Sequence, residues 1–540
     1  KFIKMKKLKL VCVAIAMAGA APTFAGGLLT NTNQHVAFNR MMSREASIGI
    51  DGVYYNPAGV VFMGEGHHLA INWQLAYQTR TINNDYKLFT NNVNNPITPR
   101  DFKGKAFAPV IPSFQYAYNK GKWSFQANFS LTGGGGKCTF DDGLGSFEKI
   151  VSETAIAACG LAGVVDQTLG NKLGQQGMEM FTSDQAFGKT GKYSFNSYMH
   201  GRQYYYGLSA GAAYKFCDNF SAFLGVRGVY ALTNYYGYVE NINVGNMPLY
   251  KVLDPTKENA ANIELSCDQT GVGFTPIIGV DYKTGRWNFS AKYEFKTRIR
   301  LKNKSVNQTP SIGNLPANLA NQMTGILTAR YQQAGLPLEQ AKQQAENTTN
   351  AVLNDPTVGA TMIGLKTQFD QKLNKAIGEY EDGKKIAGDI PGYLALGIGY
   401  SPVDAVRVNV GFHWFDDKNA TSYNNRNKEL KRGTLEYNAG VEVDVNKKIT
   451  LSTGWQNTNY GLSDEYMDDK SFVVGSNSAA IGGVYHINKK MDLNVAYFHT
   501  FYQHKKTSET VQLAADKSIV YNSDYTRNNN VFAVGLDINF

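Results

Sequence analysis

The sequence lacks any apolar run long enough for a membrane-spanning helix. Such a helix needs roughly 20 consecutive apolar residues, and only Leu10–Ala21, at the extreme N-terminus, comes near that. A bundle of transmembrane helices is therefore excluded, in keeping with a mean hydropathy of −0.32. Proline is scarce, at 15 in 540 residues, and so is charge, at 18%. Glycine, tyrosine and phenylalanine are abundant, with 54, 32 and 29 copies. A charge-poor chain rich in glycine and aromatics points to one large β protein rather than the three or four soluble domains suggested by length. Acids are missing before Asp51, while Lys1, Lys4, Lys6, Lys7 and Lys9 supply half of the net charge of +10. Without residues 1–25 the 54 basic residues fall to 49 against 44 acidic ones, which is no electrostatic footprint for nucleic acid. Cysteine is sparse too, with no C-x-x-C and no paired Cys/His spacing. A structural zinc site is not indicated, and no metal or cofactor is expected.

What is present begins with an export signal. Lysines 4, 6, 7 and 9 form a basic region, Leu10–Ala21 a short apolar core, and Thr23-Phe24-Ala25 a small-x-small cleavage site. Residues 1–25 read as a signal peptide rather than an anchor, because the apolar run is too short and ends in Gly, Ala and Pro. Cleavage leaves Gly26 as the new N-terminus. Cys12 departs with the signal, so Cys138, Cys159, Cys217 and Cys267 remain in an oxidising compartment.

The rest of the chain repeats a period of two. Phe532, Val534, Leu536, Ile538 and Phe540 alternate with small or polar residues, and so do Trp287-Phe289-Ala291-Tyr293-Phe295, Val406-Val408-Val410-Phe412-Trp414 and Leu69-Ile71-Trp73-Leu75-Tyr77. These are strands with one apolar and one polar face. A soluble sandwich alternates as well, but its strands average about 5–6 residues. The runs here are long enough for a tilted strand to cross a bilayer, and aromatics sit near their ends as membrane girdles do. Fourteen such spans are legible: 67–82, 106–118, 122–133, 202–216, 219–238, 270–283, 286–302, 391–401, 405–416, 433–445, 448–457, 472–487, 490–503 and 530–540. An even number suits a closed bacterial barrel. The expected fold is all-β: a 14-stranded antiparallel transmembrane β-barrel, residues 67–540, in the bacterial outer membrane. Alternate connections are tight and should be periplasmic. The long ones, above all 134–201 and 303–390, should be extracellular. The latter carries helical stripes, Leu319-Met323-Leu327-Tyr331 and Leu365-Phe369-Leu373-Ile377.

Residues 26–66 do not alternate, and a segment of that length at the mouth of a barrel is expected to fold inside it. Here the sequence resembles a known family. Gly26-Gly27-Leu28, Asn56-Pro57-Ala58-Gly59, Pro112-Ser113-Phe114 with Tyr118 and Trp123, the run Pro391…Gly397-Ile398-Gly399-Tyr400-Ser401-Pro402 and the close Gly535-Leu536 to Phe540 resemble the FadL/TodX family of outer-membrane transporters for long-chain fatty acids and aromatic hydrocarbons. The resemblance implies a lumen hatch including Gly26, Gly27, Leu28, Leu29, Asn56, Pro57 and Ala58. It also implies an apolar groove among the outer loops, a tighter pocket in the barrel, and sideways release beside an interrupted third strand. Gly133, Gly134, Gly135 and Gly136 are where that strand is expected to lose its ladder. The large 303–390 insert departs from the family pattern, and residues 34–50 follow it only loosely.

Other signals compete. Gly207-Leu208-Ser209-Ala210-Gly211 matches a hydrolase nucleophile elbow, but the alternation continues through Tyr214, so no catalytic residue is assigned. Gly133–Gly136 with Lys137 fails the Walker spacing. His35, His67-His68 and His413 invite a haem-receptor reading without forming a spaced ligand set, and a general porin is a third possibility that a plug disfavours. Cys138 and Cys159 share one outer loop and are expected to form a disulfide. Lys296, Arg298, Arg300 and Lys302 are expected to face the lumen and to bind a ligand's carboxylate head, with Lys296, Arg298 and Arg300 the leading candidates. The expected partners are outer-membrane lipid, a hydrophobic small molecule and the barrel-assembly machinery; no nucleic acid is expected, and the barrel reads as a monomer performing passive uptake.

Overall fold

The computed structural model describes residues 29–30, 33–310, 312–514 and 517–540. The export signal, Gly26, Gly27 and Leu28 lie outside the described residues. Fourteen antiparallel strands close into a barrel: β1 (Gly66–Tyr86), β2 (Arg100–Lys120), β3 (Trp123–Phe140), β4 (Tyr193–Cys217), β5 (Phe220–Val244), β6 (Ile263–Thr284), β7 (Trp287–Glu294, resumed at Arg300–Gln308), β8 (Tyr393–Val403), β9 (Val406–Phe415), β10 (Arg432–Asn446), β11 (Ile449–Gly461), β12 (Ser476–Asn488), β13 (Met491–Tyr502) and β14 (Lys517–Asn539). Each pairs with its neighbours in sequence, and β1 pairs with β14 from His68↔Asn539 to Tyr86↔Tyr521. His67 N donates to the Phe540 carbonyl at 2.7 Å and Phe540 N to that of His67 at 2.9 Å. Gly66 opens β1 at φ +115°, where a side chain would strike the Phe540 carbonyl.

The alternation is inside-out relative to a soluble sheet. On β1, Ile71, Trp73 and Tyr77 are exposed while Asn72, Gln74 and Asn84 are buried; on β2, Phe114 and Tyr116 are exposed while Ser113 and Gln115 are buried. An outer surface of this kind is what hydrocarbon contact requires. Tight turns gather at one end, rimmed by aromatic pairs such as Trp287–Tyr400 and Trp123–Tyr214, with ring centroids 4.3 and 4.7 Å apart.

The long connections cap the other end. Residues 145–173 form helix α3 (Gly145–Leu173), and the longest connection holds α4 (Leu315–Gln333), α5 (Leu338–Leu353) and α6 (Pro356–Ile377). Leu319, Met323 and Leu327 are buried, as a packing stripe should be. Helix α3 is the one helix among the described residues long and apolar enough to cross a bilayer. Its Glu148, Lys149, Glu153 and Asp166 are nevertheless buried, and Asp166 accepts from Phe181 N and Thr182 N at 3.0 and 2.8 Å. Lipid offers no such partners, so this helix belongs to the cap. Several strands run further at this end than the sequence pattern suggests. The stretch 504–529, expected as a loop, is a hairpin of Lys505–Ala514 on the extended β14, because beyond the bilayer the outer face no longer has to be apolar.

Inside the barrel, residues 33–63 form α1 (Val36–Met41), α2 (Gly52–Tyr55) and a 3-10 turn, Gly59–Phe62, almost entirely buried. Lumen-facing glycines make room for them: a side chain at Gly440 or Gly454 would overlap the Met41 carbonyl.

The cysteines correct an expectation. Cys138, Cys159, Cys217 and Cys267 are all free thiols. Cys138 sits on β3 in an apolar cluster with Ile82, Phe140 and Met199. Cys159 lies midway along α3, where its thiol donates to the Phe187 carbonyl at 3.3 Å. The third strand runs on to Phe140, so Cys138 belongs to the wall and Cys159 to a separate cluster in the cap.

Candidate functional site

The hydrogen-bond ladder is interrupted between β2 and β3. Their ladder runs from Lys120↔Trp123 to Ser113↔Ser130 and resumes only at Ala106↔Cys138, leaving residues 107–112 opposite 131–137 without register pairs. The sequence explains the gap from both sides. Pro109 and Pro112 remove two donors from β2, and Gly133, Gly134, Gly135 and Gly136 weaken β3, with Gly134 at φ +94°. The pairing of β3 with β4 also shifts at Leu131/Gly133 and Gly135/Cys138.

Gln34, from the inner segment, bridges this gap. Its Nε2 donates to the Leu131 carbonyl at 2.8 Å, and its own carbonyl accepts from Ser113 Oγ at 2.6 Å and Gln115 Nε2 at 2.9 Å. One residue thus ties the last paired residues of β2 to Leu131, the first residue of β3 left unpaired with β2. Nothing in the sequence marks Gln34, because its partners lie on strands far along the chain.

The Asn56-Pro57-Ala58 turn is anchored to three strands. Asn56 Nδ2 donates to Asp281 Oδ2 on β6 at 2.6 Å, Pro57 O accepts from Gln126 Nε2 on β3 at 2.7 Å, and Ala58 O accepts from Ser221 Oγ on β5 at 2.7 Å. Asn56 Oδ1 also accepts from Gly59 N at 3.2 Å, closing the turn.

A lumen cavity of about 180 Å³ lies against the gap. Leu29, Thr30, Asn33 and Gln34 of the inner segment border it on one side, and Val110, Ile111 and Leu131–Gly134 on the other. Across from these stand Arg80 and Arg527, whose guanidinium groups both reach Gln78 Oε1, at 3.1 and 2.7 Å. Neither arginine has an ion-pair partner among the described residues. The cavity therefore combines mixed walls, apolar at Leu29, Val110, Ile111 and Leu131 and polar at Thr30, Asn33 and Thr132, with one cationic end. Arg80 and Arg527 also escaped the sequence reading, as polar residues on a lumen face are expected throughout a barrel.

Towards the loop end, Ile82 and Tyr525, each two residues beyond one of these arginines, pack with Met467 and Phe472. Above that cluster opens a vestibule of about 560 Å³ between α3, α6 and the 464–470 loop. Its cations are partnered: Lys149 Nζ donates to Glu509 at 2.8 Å and Lys372 Nζ to Glu153 at 2.9 Å. Lys372 also borders an apolar groove of about 90 Å³ between α3 and the long-loop helices.

The expected head-group cations are placed otherwise than predicted. Between the pairs Ile277↔Glu294 and Thr270↔Lys302, six residues of β6 face seven of β7. One extra residue reverses the faces. Lys292 and Glu294 are buried in the lumen, but beyond the bulge Thr297, Ile299 and Leu301 take the inner positions and are fully buried. Lys296, Arg298, Arg300 and Lys302 accordingly lie on the outer face, with Arg298, Arg300 and Lys302 exposed. Arg300 Nη1 donates to Asp389 at 2.8 Å, and Lys296 Nζ to the Asn419 carbonyl at 3.0 Å.

The remaining candidates are dispersed. Ser209 is mid-strand opposite Arg227. His35 accepts from Ala37 N at 2.9 Å as the cap of α1, His67 stacks on Tyr118, and His413 lies between Glu45 and Glu436. Among the described residues no cluster of His, Cys, Asp and Glu is arranged to hold a metal ion.

No family model and no curated protein matches this chain. Solved structures do. A Pseudomonas aeruginosa FadL homologue matches with a TM-score of 0.56 at 13% identity, over 95% of this chain and 100% of that one. Two mutants of the TodX monoaromatic hydrocarbon channel also match: deltaS2S3, with a TM-score of 0.51 at 12% identity over 94% and 98% of the two chains, and deltaS2, at 0.50 and 12% over 94% and 100%. At such identities the likeness speaks for architecture and leaves function to the site: the chain has the barrel fold of the FadL/TodX family.

Proposed function

We propose that this protein is an outer-membrane channel for passive uptake of hydrophobic compounds, with amphipathic carboxylates such as long-chain fatty acids as its ligands. One observation carries the reading: the lumen cavity is bounded by the inner segment on one side and by the unladdered stretch of β2 and β3 on another. A ligand captured in the vestibule passes the Ile82–Phe472 cluster and enters that cavity. It then leaves sideways into lipid when Gln34 lets go of the wall. Each buried methylene contributes about 0.8 kcal/mol, and a charge-assisted hydrogen bond to the head about 1.5–3 kcal/mol. The tail therefore sets affinity, while Arg80 and Arg527 set orientation. Fold likeness to a FadL homologue and to a TodX hydrocarbon channel agrees with this chemistry. A general aqueous pore is disfavoured by the segment 33–63 that fills the lumen.

The test is uptake of radiolabelled oleate by cells whose outer membrane offers no other route. The chain should support uptake, and Gln34→Ala, which removes the donor to Leu131, should raise its rate while leaving the heat-modifiable barrel band intact. Uptake no faster than in cells without the chain contradicts the reading.

A further inference from the structure

The β7 bulge leaves a row of cations that the proposed pathway does not use. Lys296, Arg298, Arg300, Lys302 and Lys304 alternate along one strand on its outer face, and Lys385 stands beside Lys302 on the neighbouring segment. Side chains two residues apart on a strand are separated by about 7 Å, a spacing that suits several phosphates rather than one. The acids nearby are few. Asp389 is buried and already engaged by Arg300 and Lys296. Asp268, opposite Lys304, accepts from Asn234, and Asp382 accepts from Ser305 N. Glu381 pairs with Lys384, and Glu264 lies farther along β6, opposite Gln308. Arg298, Lys302, Lys304 and Lys385 make no ion pair among the described residues.

Their height on the barrel names the partner. Below them, the outer face of β7 presents Trp287, Phe289 and Phe295 and that of β6 presents Ile278 and Tyr282; beside them, opposite Arg300 and Arg298, β6 presents Val272 and Phe274, all exposed. From Trp287 to Phe295 the strand rises by roughly 26 Å along its axis, which when tilted approximates the apolar band of about 25 Å that a barrel shows to lipid. On β7 the cations begin where its aromatic face ends, on the side of the long loops, and the apolar face of β6 flanks the first of them.

We propose that this outer-wall stripe binds phosphate groups of lipids in the loop-side leaflet, specifically a glycolipid bearing more than one phosphate. The inference rests on the membrane placement proposed above. Lipid is the one occupant that must lie against this face of an inserted barrel, and clustered cations at a headgroup boundary attract anionic lipid strongly. A bulge that carries Ile299 and Leu301 into the lumen thereby places the cations against the leaflet.

The experiment is native mass spectrometry of the full chain, first checked for insertion by flotation with vesicles. It compares wild type with Arg298→Ser/Lys302→Ser/Lys304→Ser, residues whose side chains hold no other element in place. The control is Lys447→Ser/Lys489→Ser/Lys490→Ser at the tight-turn end. Bisphosphorylated lipid A is the probe, with fully dephosphorylated lipid A and inorganic phosphate as comparisons. Retention of the bisphosphorylated lipid should fall about tenfold or more in the stripe variant, stay at wild-type level in the control, and be insensitive to phosphate number in the stripe variant. Equal retention by wild type and stripe variant overturns the proposal. So does displacement by millimolar inorganic phosphate, which identifies a free-anion site instead. A chain that does not float with vesicles removes the membrane placement itself, and this inference with it; an inserted chain without lipid preference removes only the latter.

Discussion

Arg80 on β1 and Arg527 on β14 stand directly opposite each other across the seam that closes the barrel. Like charges facing across a ladder destabilise a sheet, and no carboxylate among the described residues relieves this pair. Such a cost persists where a ligand supplies the missing anion. Arg80→Gln should lower affinity for dodecanoate by about tenfold or more and leave that for methyl dodecanoate unchanged. It should also leave the barrel as stable as before or slightly more so. Displacement of a fluorescent fatty acid, run beside thermal melts, checks both halves; equal loss for acid and ester shows that the arginines do not read the head group.

Glu45 and His413 couple the inner segment to the wall. His413 Nε2 lies 2.7 Å from Glu45 Oε1 and Nδ1 lies 2.8 Å from Glu436 Oε2, so the imidazole must donate from both nitrogens, as its cationic form does. His413→Ala leaves two buried carboxylates without their shared donor, a loss of about 3–5 kcal/mol borne mainly by the docking of the inner segment. Single-channel conductance in planar bilayers should rise, while the heat-modifiable band persists. Unchanged conductance means that the segment is held adequately without this bridge.

Glu379, in the long connection beside Tyr380 at the vestibule, has its carboxyl pushed up to about 8 by burial, against opposing contributions from Lys470, Arg426 and Lys384. The folded cap therefore keeps a proton that the unfolded chain releases above about pH 4.5. Stability of the cap is greatest below that value, declines as pH rises, and has lost this contribution above about pH 8. Protease cleavage within the long connection should accelerate over this interval in wild type and do so much less in Glu379→Gln. Parallel pH profiles for the two proteins refute the assignment.

The free thiols are checked by alkylation in denaturant without reductant, followed by peptide mapping. Cys138 and Cys159 should both be modified. A disulfide-linked peptide containing both contradicts the structure.

The barrel was legible because lipid enforces period two: on β14, Phe532 is exposed while Val531 and Ala533 are buried, as the pattern of the last ten residues requires. The unpaired stretch of β3 was legible for a related reason, since four consecutive glycines cannot sustain a strand unaided. The bulge in β7 was not. Nothing in Phe295-Lys296-Thr297-Arg298-Ile299 signals an extra residue, and a single residue moved every cation from lumen to lipid face. Helix α3 did carry a signal, with Ala158, Ala162, Val165 and Leu169 on one helical stripe. Gln34, Arg80 and Arg527 acquire their roles only from partners distant in sequence, so no local pattern announces them.

The most direct test of the sideways route is to tie the wall across its gap. A Cβ placed on Gly136 would lie 3.1 Å from Ala108 Cβ, within a small relaxation of disulfide geometry. In a chain with Cys138, Cys159, Cys217 and Cys267 replaced by Ser, the pair Ala108→Cys/Gly136→Cys should form a cross-link on oxidation. Oleate uptake should then fall to the level of cells without the chain and recover fully with reductant. Wild-type uptake by fully cross-linked protein would contradict passage through the wall between β2 and β3.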